Sequence, residues 1–184
     1  HRYSSAASDV YKRQHLLPLL TLACLSLVLP ITLNGQEPLP RSMTTEEHFD
    51  ELQAGDFETS DSKVGSWQVV KGRCLIDDQH AKTGRQCLQL AGGESTVVEL
   101  GLSEAVDTSG KLSFWAERWT ARQPFSCRIE KYSQGKWTEI YNGDQEVIVG
   151  RAFKAFVTVP LRDTEIEKLR FRVTSPPDTG ILLD

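Results

Sequence analysis

From Phe57 onward the chain is a succession of short segments rich in Val, Phe, Trp and Thr, each closed by turn residues. GSWQVVKG, CLIDD, QCLQLAG, STVVELGL, GKLSFWAERW, FSCRIEKYS, KWTEIYN, EVIVG, FKAFVTVP and EKLRFRVTS follow one another, and no helix-period segment of any length interrupts them. Lys82-Thr83-Gly84, Gly92-Gly93, Ser109-Gly110, Asn142-Gly143 and Pro176-Pro177 mark the clearest breaks. Polarity alternates within the segments. Leu112, Phe114 and Ala116 oppose Ser113, Trp115, Glu117 and Trp119; Phe125, Cys127 and Ile129 oppose Ser126, Arg128, Glu130 and Tyr132; Leu169, Phe171 and Val173 oppose Arg170, Arg172 and Thr174. One buried and one solvated face per strand predicts antiparallel sheets, and many short strands at regular spacing predict an all-β sandwich or barrel. A short amphipathic stretch is expected over Glu47–Leu52.

The ends of the chain read differently. Residues 1–14, HRYSSAASDVYKRQ, have the look of an adaptor-derived scar, and the single methionine is Met43. Residues 15–35 carry no charge and fit the apolar region of a secretory signal peptide, with Cys24 as an ordinary member of it; interrupted by Pro18 and Pro30, the run is marginal for a transmembrane helix. Residues 36–46 are Pro-rich and polar, a linker, and residues 47–184 form the domain, whose last run, Ile181 to Asp184, resembles a strand cut short. The expected location is secreted or periplasmic, with no membrane attachment after signal cleavage. Setting aside Arg2, Lys12, Arg13 and Asp9 leaves 18 basic and 24 acidic residues, a net charge of −6. That balance argues against a nucleic-acid partner, which requires a basic patch.

Three constellations invite a chemical reading. If the strands around residues 111–119, 125–132 and 168–174 share a sheet, its outer face gathers Trp115, Trp119, Tyr132, Arg128, Arg170, Arg172 and Glu130. Flat aromatic surface suits the apolar face of a sugar ring, and planar polar side chains suit its hydroxyls or a carboxylate. The competing reading has the tryptophans packed under loops or a neighbouring domain and the Arg–Glu pairs as cross-strand salt bridges. Glu58, Asp77, Asp78 and Asp184, near strand ends, would form a structural calcium site if they converge, against solvated loop carboxylates as the plainer reading. Cys74 and Cys87 flank a hairpin loop and are the best candidate disulfide, against three buried free thiols. Catalysis has little support. There is no G-x-S-x-G elbow, H-E-x-x-H motif or glycine-rich phosphate loop, and only Glu117 and Glu130 suggest a carboxylate pair.

The runs HAKTGRQCLQLAGGESTVVEL, GKLSFWAERWTARQPFSCRIEK, WTEIYNGDQEVIVGRAF and LRFRVTSPPDTGILLD resemble the N-terminal β-sandwich of secreted bacterial sialidase-like proteins. FWAERWT and EIYNGD are the most specific of these, and the resemblance covers about residues 47–184. It implies a jelly-roll sandwich of galactose-binding or concanavalin-like type, followed in the parent by a six-bladed propeller with Asp-box repeats. The propeller of that family supplies the arginine cluster, tyrosine nucleophile and acidic partner. No S-x-D-x-G-x-T-W box occurs in this sequence, so no catalytic role falls on any residue here. The expected function is a non-catalytic carbohydrate-binding accessory module of an exo-sialidase-like glycoside hydrolase, with a glycan or sialoglycoconjugate and the propeller as partners. The alternatives are a domain that only packs against the propeller and a hydrolase in its own right. Fold analogy does not choose between binding and packing.

Overall fold

A computed structural model describes residues 45–106, 110–150, 152–162 and 166–184. Residues 1–44, which include the stretches expected to be a scar, a signal peptide containing Cys24 and most of a linker, lie outside these residues. Among the described residues twelve strands are present: β1 (Gly55–Phe57), β2 (Thr59–Asp61), β3 (Gly65–Lys71), β4 (Cys74–Asp77), β5 (Cys87–Ala91), β6 (Thr96–Val106), β7 (Lys111–Arg118), β8 (Ser126–Ser133), β9 (Lys136–Asn142), β10 (Ala155–Pro160), β11 (Ile166–Thr174) and β12 (Gly180–Leu183). They form two six-stranded sheets. Sheet A has the order β1-β4-β5-β12-β7-β10 and sheet B the order β2-β3-β6-β11-β8-β9. Every neighbouring pair is antiparallel. Apart from the hairpins β2–β3, β4–β5 and β8–β9, successive strands alternate between sheets, and the result is an antiparallel jelly-roll sandwich.

The period-2 pattern builds the core. Leu88 and Leu90 on β5, Phe114 and Ala116 on β7, Cys127 and Ile129 on β8, and Leu169, Phe171 and Val173 on β11 all point between the sheets and are buried. Trp67, Phe171 and Phe114 form a chain of ring contacts at 5.8 and 6.3 Å across this interior. Interior residues of this kind stabilise by roughly 1.5–3 kcal/mol each. Gly65 is required where β3 meets β6: its φ is +147°, and a Cβ there would lie 1.9 Å from the Gly101 carbonyl oxygen.

Two segments depart from expectation. Glu47–Leu52 is irregular chain ending in a turn from Phe49 to Leu52, closed by the Leu52 amide donating to the Phe49 carbonyl at 3.0 Å; Phe49 takes a φ of 58° and drops its ring into the core beside Trp67. EVIVG is also no strand. Val147 is buried in the core, Ile148 and Val149 are exposed, and among the described residues the one ladder contact is a parallel bridge from Val149 to Arg118. Among the described residues no helix is long and apolar enough to cross a membrane.

Candidate functional site

The outer face of sheet A carries an aromatic surface assembled across strands. Register pairs Phe156 on β10 with Trp115 on β7, and the Trp115 main chain pairs in turn with Asp184 beyond β12. The two rings meet at 4.7 Å between centroids with 50° between their planes, and Phe156 is 58% exposed. One row further along, the hydroxyls of Ser113 and Thr158 lie 3.1 Å apart. Trp119 shares the outward parity of Trp115 and is 38% exposed. Four residues along a strand place it about 13 Å away.

The loop between β4 and β5 lies over this face. Asp77, 7% exposed, accepts the Gln79 and His80 amides and faces His80 Nδ1 at 3.0 Å, which sets the imidazole 6.0 Å from the Trp119 ring. Asp184 accepts the amides of Lys82 (2.6 Å) and Thr83 (3.1 Å) as well as the Thr83 hydroxyl. Asp50 accepts the amides of Arg85 and Gln86. Three carboxylates thus hold one loop through its backbone, and the loop delivers the Lys82 ammonium to 4.5 Å above the Trp115 ring. Beneath, Glu117 is buried and accepts the Phe153 amide, and Phe153 packs with Cys87, Leu182 and Trp115.

The outer face of sheet B combines paired charges with two aromatic rings, Tyr132 and Trp137. Arg170 sits between Glu99 (2.6 Å) and Glu130 (3.3 Å), and Arg172 joins Glu130 at 2.9 Å. Arg128 pairs with Asp144 and with Glu139 at 3.5 Å. The Arg170 guanidinium also stacks 3.7 Å from the Trp137 ring, which meets Tyr132 at 5.1 Å. The Arg128 guanidinium beside Asp144 holds that carboxyl below its ordinary value.

The residues grouped from sequence as one aromatic and charged face are therefore divided. Trp115 and Trp119 lie on sheet A. Arg128, Glu130, Tyr132, Arg170 and Arg172 lie on the far side of the sandwich, because the chain crosses between sheets after β7. The same crossing separates Glu117 from Glu130 and ends their candidacy as a carboxylate pair. On sheet B the arginines and glutamates are cross-strand partners, the competing reading for those residues. The sequence reading missed Phe156 and Lys82. Phe156 was legible, since Ala155, Val157 and Val159 define the inward parity and leave it outside. The place of Lys82 depends on loop geometry that no periodicity encodes.

The disulfide expectation is corrected. Cys74 pairs in register with Leu90 and faces the core, whereas Cys87 pairs with Asp77 and faces outward beneath Phe153. The two thiols lie on opposite faces of one sheet, and all three described cysteines are free. Burial pushes the Cys74 and Cys127 thiols up to about 12, and Cys87 also rises, through burial and the nearby carboxylates. The calcium grouping does not assemble either. Glu58 follows β1 beside the Cys74 end of β4, Asp77 ends that strand, Asp78 is exposed against Gln79, and Asp184 holds the loop. Among the described residues no group of three or more His, Cys, Asp or Glu side chains is placed to hold a metal ion.

The sheets themselves define the class, an antiparallel jelly-roll β-sandwich. No family model matches the sequence, and no curated protein does. Among solved structures the chain is similar to a family 61 carbohydrate-binding module in complex with β-1,4-galactotriose, at 11% identity and a TM-score of 0.44, covering 64% of this chain and 82% of that one. It is similar to a family 32 module produced by Clostridium perfringens (19%, TM-score 0.40, 69% and 93% covered). It is also similar to a family 22 xylan-binding domain from Paenibacillus barcinonensis (17%, TM-score 0.42, 72% and 88% covered).

Proposed function

We propose that this domain is a non-catalytic, carbohydrate-binding-type accessory module that holds a glycan on the outer face of sheet A. The observation that carries the reading is the Trp115–Phe156 pair, with Phe156 58% exposed on the solvent side of the sheet. Trp115 packs against the buried cluster of Cys87, Phe153 and Leu182, whereas the Phe156 ring rests on Trp115 and exposes apolar surface to water. The C–H face of a pyranose covers such a ring. The Ser113 and Thr158 hydroxyls and the Lys82 ammonium lie nearby as polar partners for sugar hydroxyls, and His80 lies beside Trp119 further along the face. The acidic side chains of this face accept protein N–H groups, which fits a binding surface better than a hydrolytic one.

From the sequence resemblance of residues 47–184 we further take the parent to be an exported, sialidase-like glycoside hydrolase. Residues 15–35 would direct its export, and a propeller would carry its chemistry. A second reading has a specific observation in its favour: Ile148 (48% exposed) and Val149 (42%) run alongside Arg118 next to exposed Trp119. That apolar end suits packing against a neighbouring domain.

The test is retention on an array that includes β-1,4-galactan, xylan and sialylated glycans, for the wild type and for Phe156→Ala, Trp115→Ala and Trp119→Ala. Binding by the wild type that falls at least about tenfold in Phe156→Ala and Trp115→Ala, an energy of about 1.4 kcal/mol, supports the module reading. No glycan bound by the wild type, or binding indifferent to both substitutions, overturns it and leaves interdomain packing.

A further inference from the structure

We infer that the glycan held on sheet A is acidic, and that Lys82 meets its carboxylate or sulfate; this rests on the binding reading above. Lys82 is exposed, and among the described residues its ammonium has no carboxylate partner; its neighbour is the ring of Trp115, at 4.5 Å. Its position is built rather than incidental. The amides of Lys82 and Thr83 are both bound by the Asp184 carboxylate, so the side chain starts from a fixed backbone. On sheet B, by contrast, Arg128, Arg170 and Arg172 are each neutralised by a glutamate or aspartate.

Three carboxylates lie under the platform, and none competes for the ammonium by direct contact. Asp184 is occupied by the loop amides and the Thr83 hydroxyl. Asp77 and Glu117 are buried and bonded to main-chain N–H groups. An ammonium resting on one face of Trp115 also leaves Phe156 as the most open ring. A sugar stacked on Phe156 then directs one edge toward Lys82. A neutral sugar leaves the cation solvated there, while an acidic one gives it a charge-assisted hydrogen bond.

The experiment measures binding of the purified chain to soluble polysaccharides in pairs, each acidic polymer against its own carboxyl-reduced form: glucuronoxylan, polygalacturonate and alginate. A chondroitin sulfate and its desulfated form test a sulfate in the same way. Lys82→Ala and Lys82→Arg are measured beside the wild type, and both keep the main-chain amide that Asp184 binds. The expected result is at least a fivefold preference for the acidic member of one pair, weakened by salt, abolished in Lys82→Ala and kept in Lys82→Arg. Equal affinity for both members, or a preference that survives in Lys82→Ala, overturns the inference and leaves glycan binding intact. Failure to bind any polymer, acidic or neutral, overturns the binding reading and the inference together.

Discussion

At the scale of single residues, Asp144 uses its charge for structure. Its carboxylate binds the Arg128 guanidinium and accepts the Cys127 amide at 3.0 Å, which ties the segment after β9 to the start of β8. The hydrogen bond from Arg128 is the largest cause holding its carboxyl below the ordinary 3.8. A depressed folded value means stability that is complete above the unfolded value and is lost as pH falls through the folded one. Asp144→Asn is expected to cost about 1–2 kcal/mol at pH 7, because both partners are partly solvated. That cost should shrink toward zero as pH falls from above the ordinary 3.8 through the depressed folded value. Urea titrations of both proteins at pH 7 and at low pH check this; a difference that is independent of pH contradicts the assignment.

At the scale of elements, the strand ladder and the β4–β5 loop meet at Asp184. Its main chain pairs with Trp115 at 2.7 and 3.0 Å, while its side chain holds Lys82 and Thr83. One residue thus sets both halves of the proposed platform. Asp184→Ala removes only the second set of contacts. Hydrogen exchange at the Lys82 and Thr83 amides is expected to quicken about tenfold or more, as loss of a hydrogen bond of about 1.4 kcal/mol implies. The Trp115 amide, bonded to the main chain of residue 184, is expected to keep its protection and serves as the internal control. Unchanged exchange at residues 82 and 83 would mean that the loop is held by Asp77 and Asp50 without it.

At the scale of the whole molecule, the sandwich was legible because burial on one face enforces a period of two. Leu112/Phe114/Ala116, Cys127/Ile129 and Leu169/Phe171/Val173 all face inward as their alternation requires. Sheet membership was not legible. Whether β7 lies beside β8 or across the core from it leaves the alternation of each strand unchanged, so periodicity alone places Trp115 and Tyr132 together although they lie on opposite sides. The same limit applied to Cys74 and Cys87. Sequence showed a hairpin between them, but only the register, Cys74 with Leu90 and Asp77 with Cys87, puts their thiols on opposite faces. The loop that carries Lys82 to Trp115 is set by long-range contacts between residues 82–83 and 184, which no local pattern records.

In the proposed function, ligand meets the outer face of sheet A. The four tryptophans allow this to be read directly, since Trp67 is in the core, Trp115 and Trp119 face outward on sheet A, and Trp137 is on sheet B. The measurement is a titration of the 15N-labelled protein with a retained glycan, following the four indole N–H resonances. Progressive, saturable shifts are expected for Trp115 and Trp119, with Trp67 and Trp137 unmoved. A saturable shift of Trp137 with Trp115 and Trp119 unmoved would contradict this placement and put the ligand on the opposite face.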